Sequence, residues 1–137
     1  MTLVHSAAIE VRHVRGKGRG VFARRAIAEG EVIERVPVVL LAADEIRDRD
    51  GWIGLASYCF LWDTGRYALA LGYGSLYNHS YQPNARYDDT GRMTKIFTAL
   101  RDIAPGEEIT VNYNGDPEDL SPVGFKVLEE TAPQQAQ

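Results

Sequence analysis

The chain has 137 residues, of which 45% are hydrophobic and 25% are charged. This length fits a single domain, and this hydrophobic share excludes a fully disordered chain. The formal net charge of −4 argues against direct nucleic-acid binding and is compatible with a basic protein partner.

Cysteine and histidine usage limits the possible chemistry. The one cysteine, Cys59, excludes an internal disulfide and a Cys₂His₂ or Cys₄ zinc site within the chain. His5, His13 and His79 lack metal-ligand spacing, so no metal is expected.

Apolar runs fall well short of the roughly 18 residues of a membrane span, and early charged residues argue against a secretory signal. We therefore expect a soluble cytoplasmic protein without membrane contact.

Short stretches of alternating apolar and polar residues, separated by glycine-rich turns, predict a mainly β fold. In chain order, the predicted elements are a strand at 9–12, a glycine-rich turn at 16–20, strands at 21–23, 32–36 and 38–41, a helical turn or loop at 43–49, short strands around a turn at 63–65, and strands at 93–99 and 108–113. In the last of these, Ile109, Val111 and Tyr113 are expected to share one face. Residues 120–130 are predicted to form a short closing helix or an ordered extended segment.

One sequence unit occurs twice, at 25–33 and at 101–109. The two copies share Arg, Ile, Ala, Gly, Glu and Ile at matching positions. Pro105 and Gly106 fit the centre of a type II turn, so each copy is predicted to form strand, turn and strand. The repeat suggests internal pseudo-symmetry, with a chance match between two turn sequences as the alternative.

Three segments could carry chemistry: the glycine-rich 16–22, the Tyr-Asn-His-Ser-Tyr-Gln-Pro-Asn run at 77–84, and the Glu-Glu-Ile-Thr-Val-Asn-Tyr run at 107–113. Each also has a purely structural interpretation. The first is an ordinary turn that lacks P-loop or dinucleotide spacing, the second a capping loop, and the third a core tyrosine at a strand end.

Together and in this order, the three segments resemble the SET-domain family of protein lysine methyltransferases. The resemblance covers residues 9–113. It implies a SET-domain fold of small β-sheets (a β-clip) with a C-terminal pseudoknot, in which the segments of Asn78 and Tyr113 thread together. It implies S-adenosylmethionine as methyl donor and S-adenosylhomocysteine as product. The expected substrate is a basic, lysine-containing segment of a protein.

The resemblance also implies roles for individual residues. The backbone of Lys17, Gly18 and Arg19 and the side chain of Asn78 would meet the amino-acid end of the cofactor. The His79 backbone would hold the adenine, and Tyr113 would be the catalytic tyrosine beside the cofactor. Glycine permits close backbone approach, and asparagine offers both a donor and an acceptor to a zwitterion.

Methyl transfer requires a neutral amine, whereas only about one lysine in 2,500 is deprotonated at pH 7. A narrow apolar channel and a nearby sulfonium would both lower the pKa of that amine. Tyr87, Tyr58 and Tyr73 are the predicted channel aromatics, with Phe60 as a further candidate. An aromatic channel wall of this kind would hold the aliphatic part of the substrate lysine side chain and favour its cationic ammonium group. The alternative is that these rings only fill a small β core.

The chain departs from the family pattern at several positions. Val36 and Pro37 stand where a channel tyrosine is common, Ser75 and Leu76 replace an Arg-Phe pair, and Asn112 replaces the usual Asp. The cysteine-rich zinc segment is missing.

The predicted organisation is a SET domain at 1–116, a closing segment at 117–130 and a flexible tail at 131–137. Phe125 of the closing segment would cover the adenine. The chain resembles minimal bacterial and viral members of the family, some of which form dimers, so a homodimer is possible. The competing interpretation is a catalytically weak SET-like module that binds proteins.

Overall fold

The computed structural model describes residues 3–123. Within this range eleven strands form three sheets. The strands are β1 (Ile9–Val14), β2 (Gly18–Ala23), β3 (Val32–Ala42), β4 (Arg47–Asp48), β5 (Gly51–Trp52), β6 (Cys59–Asp63), β7 (Arg66–Ala70), β8 (Asn78–His79), β9 (Ala85–Thr90), β10 (Thr94–Ala99) and β11 (Glu108–Val111). The prediction of a mainly β fold is confirmed.

Two of the sheets carry the architecture. One has four strands in the order β1-β2-β11-β8, and the other has five in the order β6-β7-β3-β10-β9. Neighbouring strands are antiparallel except for β8 and β11, which run parallel. The small β4–β5 pair forms a third sheet within the segment that joins β3 to β6. Residues 43–49, predicted as helical turn or loop, contain a 3-10 turn at Ala43–Glu45 followed by β4.

The long strand β3 corrects the prediction of two separate strands. It pairs with β10 as far as Pro37 and with β7 from Val38 onward. Pro37 lies at the point where the ladder changes partners. This position suits proline because proline has no amide hydrogen to donate to a ladder. One continuous strand therefore connects both halves of the five-stranded sheet.

The hydrophobic core lies between the two large sheets. Alternate residues of the strands supply it, as Val21 and Ala23 of β2 and Ile109 and Val111 of β11 show, all of them fully buried. The alternation predicted for 108–113 ends at Val111, because Asn112 is also buried and Tyr113 is 40% exposed. Tyr113 therefore follows the strand rather than lying on its inner face.

The two copies of the repeated unit pair with each other. Ile27 and Ile103 exchange reciprocal backbone hydrogen bonds of 2.9 and 2.8 Å and are both buried. Gly30 and Gly106 have φ of 82° and 84° at equivalent turn positions. The pseudo-symmetry is confirmed, although a single bridge rather than a strand precedes each turn.

The described residues contain no helix long and apolar enough to cross a membrane. Phe125, the flexible tail at 131–137 and the later part of the closing segment lie outside the described residues. The C-terminal pseudoknot depends on the course of that segment and stays a prediction.

Candidate active site

The site is assembled where β8 lies beside β11. Thr110 pairs with Asn78 and Val111 with His79, and the Ser80 amide donates to the Val111 carbonyl at 3.0 Å. Parallel pairing requires a crossover between the strands, which explains how residues 32 positions apart in the sequence become neighbours. Two of the three sequence motifs therefore meet at one sheet position.

The third motif joins them through a polar cluster. Asn78 Nδ2 donates to the Arg19 carbonyl at 2.8 Å and to Glu108 Oε2 at 2.7 Å. Lys17 Nζ lies 3.3 Å from Glu108 Oε1. Gly20 lies directly against this cluster, because a Cβ there would come within 2.4 Å of Glu108 Oε2. We call Lys17, Asn78, Glu108 and the backbone at Arg19 and Gly20 the polar cluster.

The polar cluster fits the amino-acid end of S-adenosylmethionine. Since both amide hydrogens of Asn78 are engaged, its Oδ1 and the Glu108 carboxylate supply acceptors suited to an ammonium group. The Lys17 ammonium supplies a cation suited to a carboxylate. Gly18, with φ of 84°, holds the turn that brings this backbone close. Glu108 lies within the recognised run at 107–113, but the sequence analysis gave it no role in the site.

His79 and Tyr113 are joined next to this cluster. His79 Nδ1 accepts a 2.9 Å hydrogen bond from the Tyr113 amide, which places the ring proton of a neutral His79 on Nε2. The Tyr113 hydroxyl donates to the Tyr77 carbonyl at 2.6 Å. Burial raises the pKa of Tyr113 to about 12, so its hydroxyl is protonated at physiological pH.

Asn84 is a site residue that sequence reasoning left unassigned. It is buried, donates to the Glu108 carbonyl at 2.8 Å and to Glu107 Oε2 at 3.1 Å, and accepts from the Thr110 amide at 2.9 Å. It thus fastens the 77–84 loop to β11. The sequence signal that could have identified Asn84 is its position at the end of the 77–84 motif. A buried asparagine side chain needs several hydrogen-bond partners, and Asn84 has them here.

Asn112, where the family usually has Asp, ties down the start of the closing segment. Its Nδ2 donates to the Asp119 carbonyl at 2.6 Å, and its Oδ1 accepts from the Asn114 amide at 2.9 Å. A carboxylate could make only the second of these bonds, because it has no hydrogen to donate. The Tyr81 hydroxyl donates to the Ser121 carbonyl at 2.9 Å and holds the same segment.

An aromatic cleft of about 420 Å³ opens beside Tyr113. Its wall includes Tyr58, Phe60, Tyr77, Tyr87, Asp89 and Tyr113. The structure therefore brings two of the three predicted channel tyrosines, Tyr58 and Tyr87, to Tyr113, the predicted catalytic tyrosine. Tyr73 is not among the described residues that line this cleft. It packs against the core, and its amide donates to Glu34 at 3.0 Å.

A buried carboxylate supports the cleft from behind. Glu34 accepts a 2.8 Å hydrogen bond from the Tyr77 hydroxyl, and burial raises the pKa of this carboxyl group. Tyr77 also stacks on Phe97, with ring centroids 4.3 Å apart. Because the Tyr77 carbonyl accepts from Tyr113, Glu34 helps to position Tyr113. Sequence reasoning missed Glu34, since a lone Glu in a strand gives no signal of burial.

Among residues 3–123, no three His, Cys, Asp or Glu side chains are placed to hold a metal ion. The arrangement instead combines a site for a zwitterion with an aromatic cleft that ends at a tyrosine hydroxyl.

Comparison with known proteins agrees with this geometry. Residues 18–114 match the SET domain family. The chain is 35% identical over 106 residues to a Schizosaccharomyces pombe histone-lysine N-methyltransferase named as specific for lysine 37 of histone H3, covering 77% of this chain and 72% of that one. It is 29% identical over 133 residues to the histone-lysine N-methyltransferase SETD7 of Halocynthia roretzi, covering 85% of this chain but 33% of that longer protein.

A solved structure gives the same result. The crystal structure of a Plasmodium falciparum protein named as a candidate histone methyltransferase superposes with a TM-score of 0.65 and 30% identity, over 80% of this chain and 95% of that one. The fold, the three motifs at one sheet junction and these similarities lead to one conclusion. The chain belongs to the SET-domain family of protein lysine methyltransferases.

Proposed function

We propose that this protein transfers a methyl group from S-adenosylmethionine to the side-chain amine of a lysine in a basic segment of another protein. The observation that carries the proposal is the pairing of β8 with β11, which sets the polar cluster beside the aromatic cleft. A site for the donor and a channel for the acceptor would then meet at Tyr113.

The polar cluster would hold the amino-acid end of the donor, with Asn78 and Glu108 toward its ammonium and Lys17 toward its carboxylate. The His79 backbone is the proposed support for the adenine. S-adenosylmethionine supplies a methyl group on a positively charged sulfur, which is ready for in-line displacement by an amine. No metal takes part in this proposal.

The residues of the cleft would orient the amine and exclude water. The Tyr113 hydroxyl donates to the Tyr77 carbonyl, and a hydroxyl oxygen can also accept a hydrogen bond from the amine. Its pKa of about 12 makes it an orienting group rather than a base, so the amine must lose its proton to water before transfer. Alignment of this kind can lower a barrier by roughly 7–11 kcal/mol.

A basic segment of histone H3 is the first substrate to test. Supporting this choice are the net charge of −4, the carboxylates of Asp89 and Asp116 beside the cleft, and the names of the relatives. A cytoplasmic location, a homodimer and the absence of nucleic-acid and membrane partners stay predictions from the sequence.

The test is transfer of a labelled methyl group from S-adenosylmethionine to histone H3 and to the proteins of a bacterial lysate. Tyr113→Phe is measured alongside, with Tyr67→Phe, which lies on β7 and is not among the described residues lining the aromatic cleft, as the matched control. We expect labelled lysine with the wild type and Tyr67→Phe and a loss of at least about 100-fold with Tyr113→Phe. S-adenosylhomocysteine binding without transfer to any protein would instead support the binding module.

A further inference from the structure

Lys95, in the middle of β10, has an unusual environment for a lysine. Its side chain is completely buried. Its ammonium lies over the ring of Phe60 at 4.1 Å and over the ring of Tyr87 at 4.3 Å, measured to the ring centroids. Asp89, its cross-strand partner on β9, supplies a carboxylate oxygen 2.5 Å away. Buried lysines are rare unless paired, and this one is enclosed by two rings and one counter-ion.

The groups that enclose Lys95 are also the wall of the aromatic cleft. Phe60, Tyr87 and Asp89 line the cleft, and Lys95 is not among its described lining residues. The ammonium therefore contacts three residues that line the cleft without lining it itself. The wall expected to attract a cationic head already has a buried cation against two of its rings.

The charged and titratable groups around Lys95 come from several strands. β9 contributes Asp89, Tyr87 and the more distant Asp88, whereas β6 contributes the uncharged rings of Phe60 and Trp62. On β3, Val36 lies opposite Lys95, and Glu34 lies on the same face, hydrogen-bonded to Tyr77. Asp89 is thus the ion-pair partner, and its side chain is 34% exposed and partly solvated.

We propose that Lys95 is a positioning residue whose fixed positive charge behind the aromatic wall favours the neutral form of the substrate amine in the cleft. This inference rests on the proposed lysine methyl transfer. An amine about 4 Å from either ring, on the side away from Lys95, would lie roughly 8 Å from the Lys95 nitrogen. At an effective dielectric constant of about 20, removing one charge at that distance while Asp89 stays in place moves the titration of the amine by roughly 1.5 pH units. A neutral amine is the nucleophile, so the charge raises the reactive fraction near neutral pH.

The experiment is the pH dependence of kcat, at saturating concentrations of both substrates, for the protein labelled in the transfer assay. The profile of kcat reports groups in the enzyme–substrate complex. Lys95→Met and Lys95→Gln remove the charge, and the Gln amide can still donate to Asp89. Lys95→Arg keeps the charge and is the matched control. We expect the acid limb to move up by roughly 1.5 pH units in the two neutral variants and to stay in place in Lys95→Arg.

A purely structural role predicts a different result. If Lys95 had only a structural role, its replacement would lower kcat equally at every pH and leave the midpoint of the pH profile unchanged in the neutral variants. That result would overturn the inference. A wild-type midpoint at the value of free lysine, about 10.4, would also overturn it and requires no variant to fold. A wild type that transfers no methyl group contradicts the proposed function itself, which distinguishes the two failures.

Discussion

Replacing Gly20 with alanine tests the assignment of the polar cluster as the cofactor site. The added Cβ would lie 2.4 Å from Glu108 Oε2 and 2.7 Å from Asn78 Nδ2, and contacts under 3.0 Å require movement. The 2.7 Å hydrogen bond between Asn78 and Glu108 would have to open. A hydrogen bond to a charged group contributes about 1.5–3 kcal/mol. If that preorganisation is lost, S-adenosylhomocysteine should bind about 10- to 150-fold more weakly.

The assay is calorimetric measurement of the Kd for S-adenosylhomocysteine, with a thermal melt to confirm folding. Two other glycines provide matched controls. Gly91→Ala has nothing within 4 Å of the new Cβ and should leave both Kd and Tm unchanged. Gly18→Ala also has open space, but its φ of +84° costs about 1–2 kcal/mol of backbone strain. It should therefore lower the Tm without a collision in the cluster.

A folded Gly20→Ala protein that binds S-adenosylhomocysteine within twofold of the wild type would refute this reasoning. Such a result would mean that Asn78 and Glu108 can move apart without consequence for the ligand. The amino-acid end of the cofactor would then have to lie elsewhere.

Three further predictions concern Tyr113, Asn84 and Glu34. Tyr113→Phe should keep the S-adenosylhomocysteine Kd within about threefold and lower stability by about 1 kcal/mol while reducing kcat at least about 100-fold, because the variant loses the hydroxyl that donates to the Tyr77 carbonyl and is proposed to orient the amine. Normal turnover would contradict its catalytic role. Asn84→Ala should cost about 3 kcal/mol in urea unfolding, since the Thr110 amide and Glu108 carbonyl both lose a partner, and a cost under about 1 kcal/mol would contradict this. Burial raises the pKa of Glu34, so the folded state binds its proton more tightly and the wild type loses stability as pH rises through that raised value. Glu34→Gln should remove this loss in unfolding measured at pH 5 and pH 8, and an unchanged difference between the two pH values would contradict it.

The repeated unit shows how far a local pattern can be interpreted. Gly30 and Gly106 adopt the positive φ that a type II turn requires at that position. In both turns a glutamate accepts from the backbone, as Glu31 does from Ala28 and Glu107 from Ala104. The turns depend on neighbouring residues, so the sequence predicted them, whereas the two glutamate hydrogen bonds were found only in the structure. The pairing of Ile27 with Ile103 is a contact over 76 positions, and only the suggestion of pseudo-symmetry anticipated it.

The channel aromatics show where local reasoning ends. The sequence predicted Tyr58, Tyr73 and Tyr87 as channel residues, yet among the described residues only Tyr58 and Tyr87 of these line the cleft. Tyr73 lies in the turn after β7, next to Gly72 with its positive φ, and its amide donates to Glu34. The enclosure of Lys95 likewise needs β6, β9 and β10 side by side, which no sequence window contains.

The amino-acid sequence by itself determined the family, the mainly β fold and the turns. It also predicted the site residues Lys17, Gly18, Arg19, Asn78, His79 and Tyr113. These follow from short motifs and from alternation, which act over a few positions of the chain. Only the tertiary structure decided that Glu108 completes the polar cluster, that Glu34 supports Tyr77, and that a buried cation lies behind the cleft. Burial and charge pairing depend on distances between strands far apart in sequence, and those distances exist only once the sheets have packed.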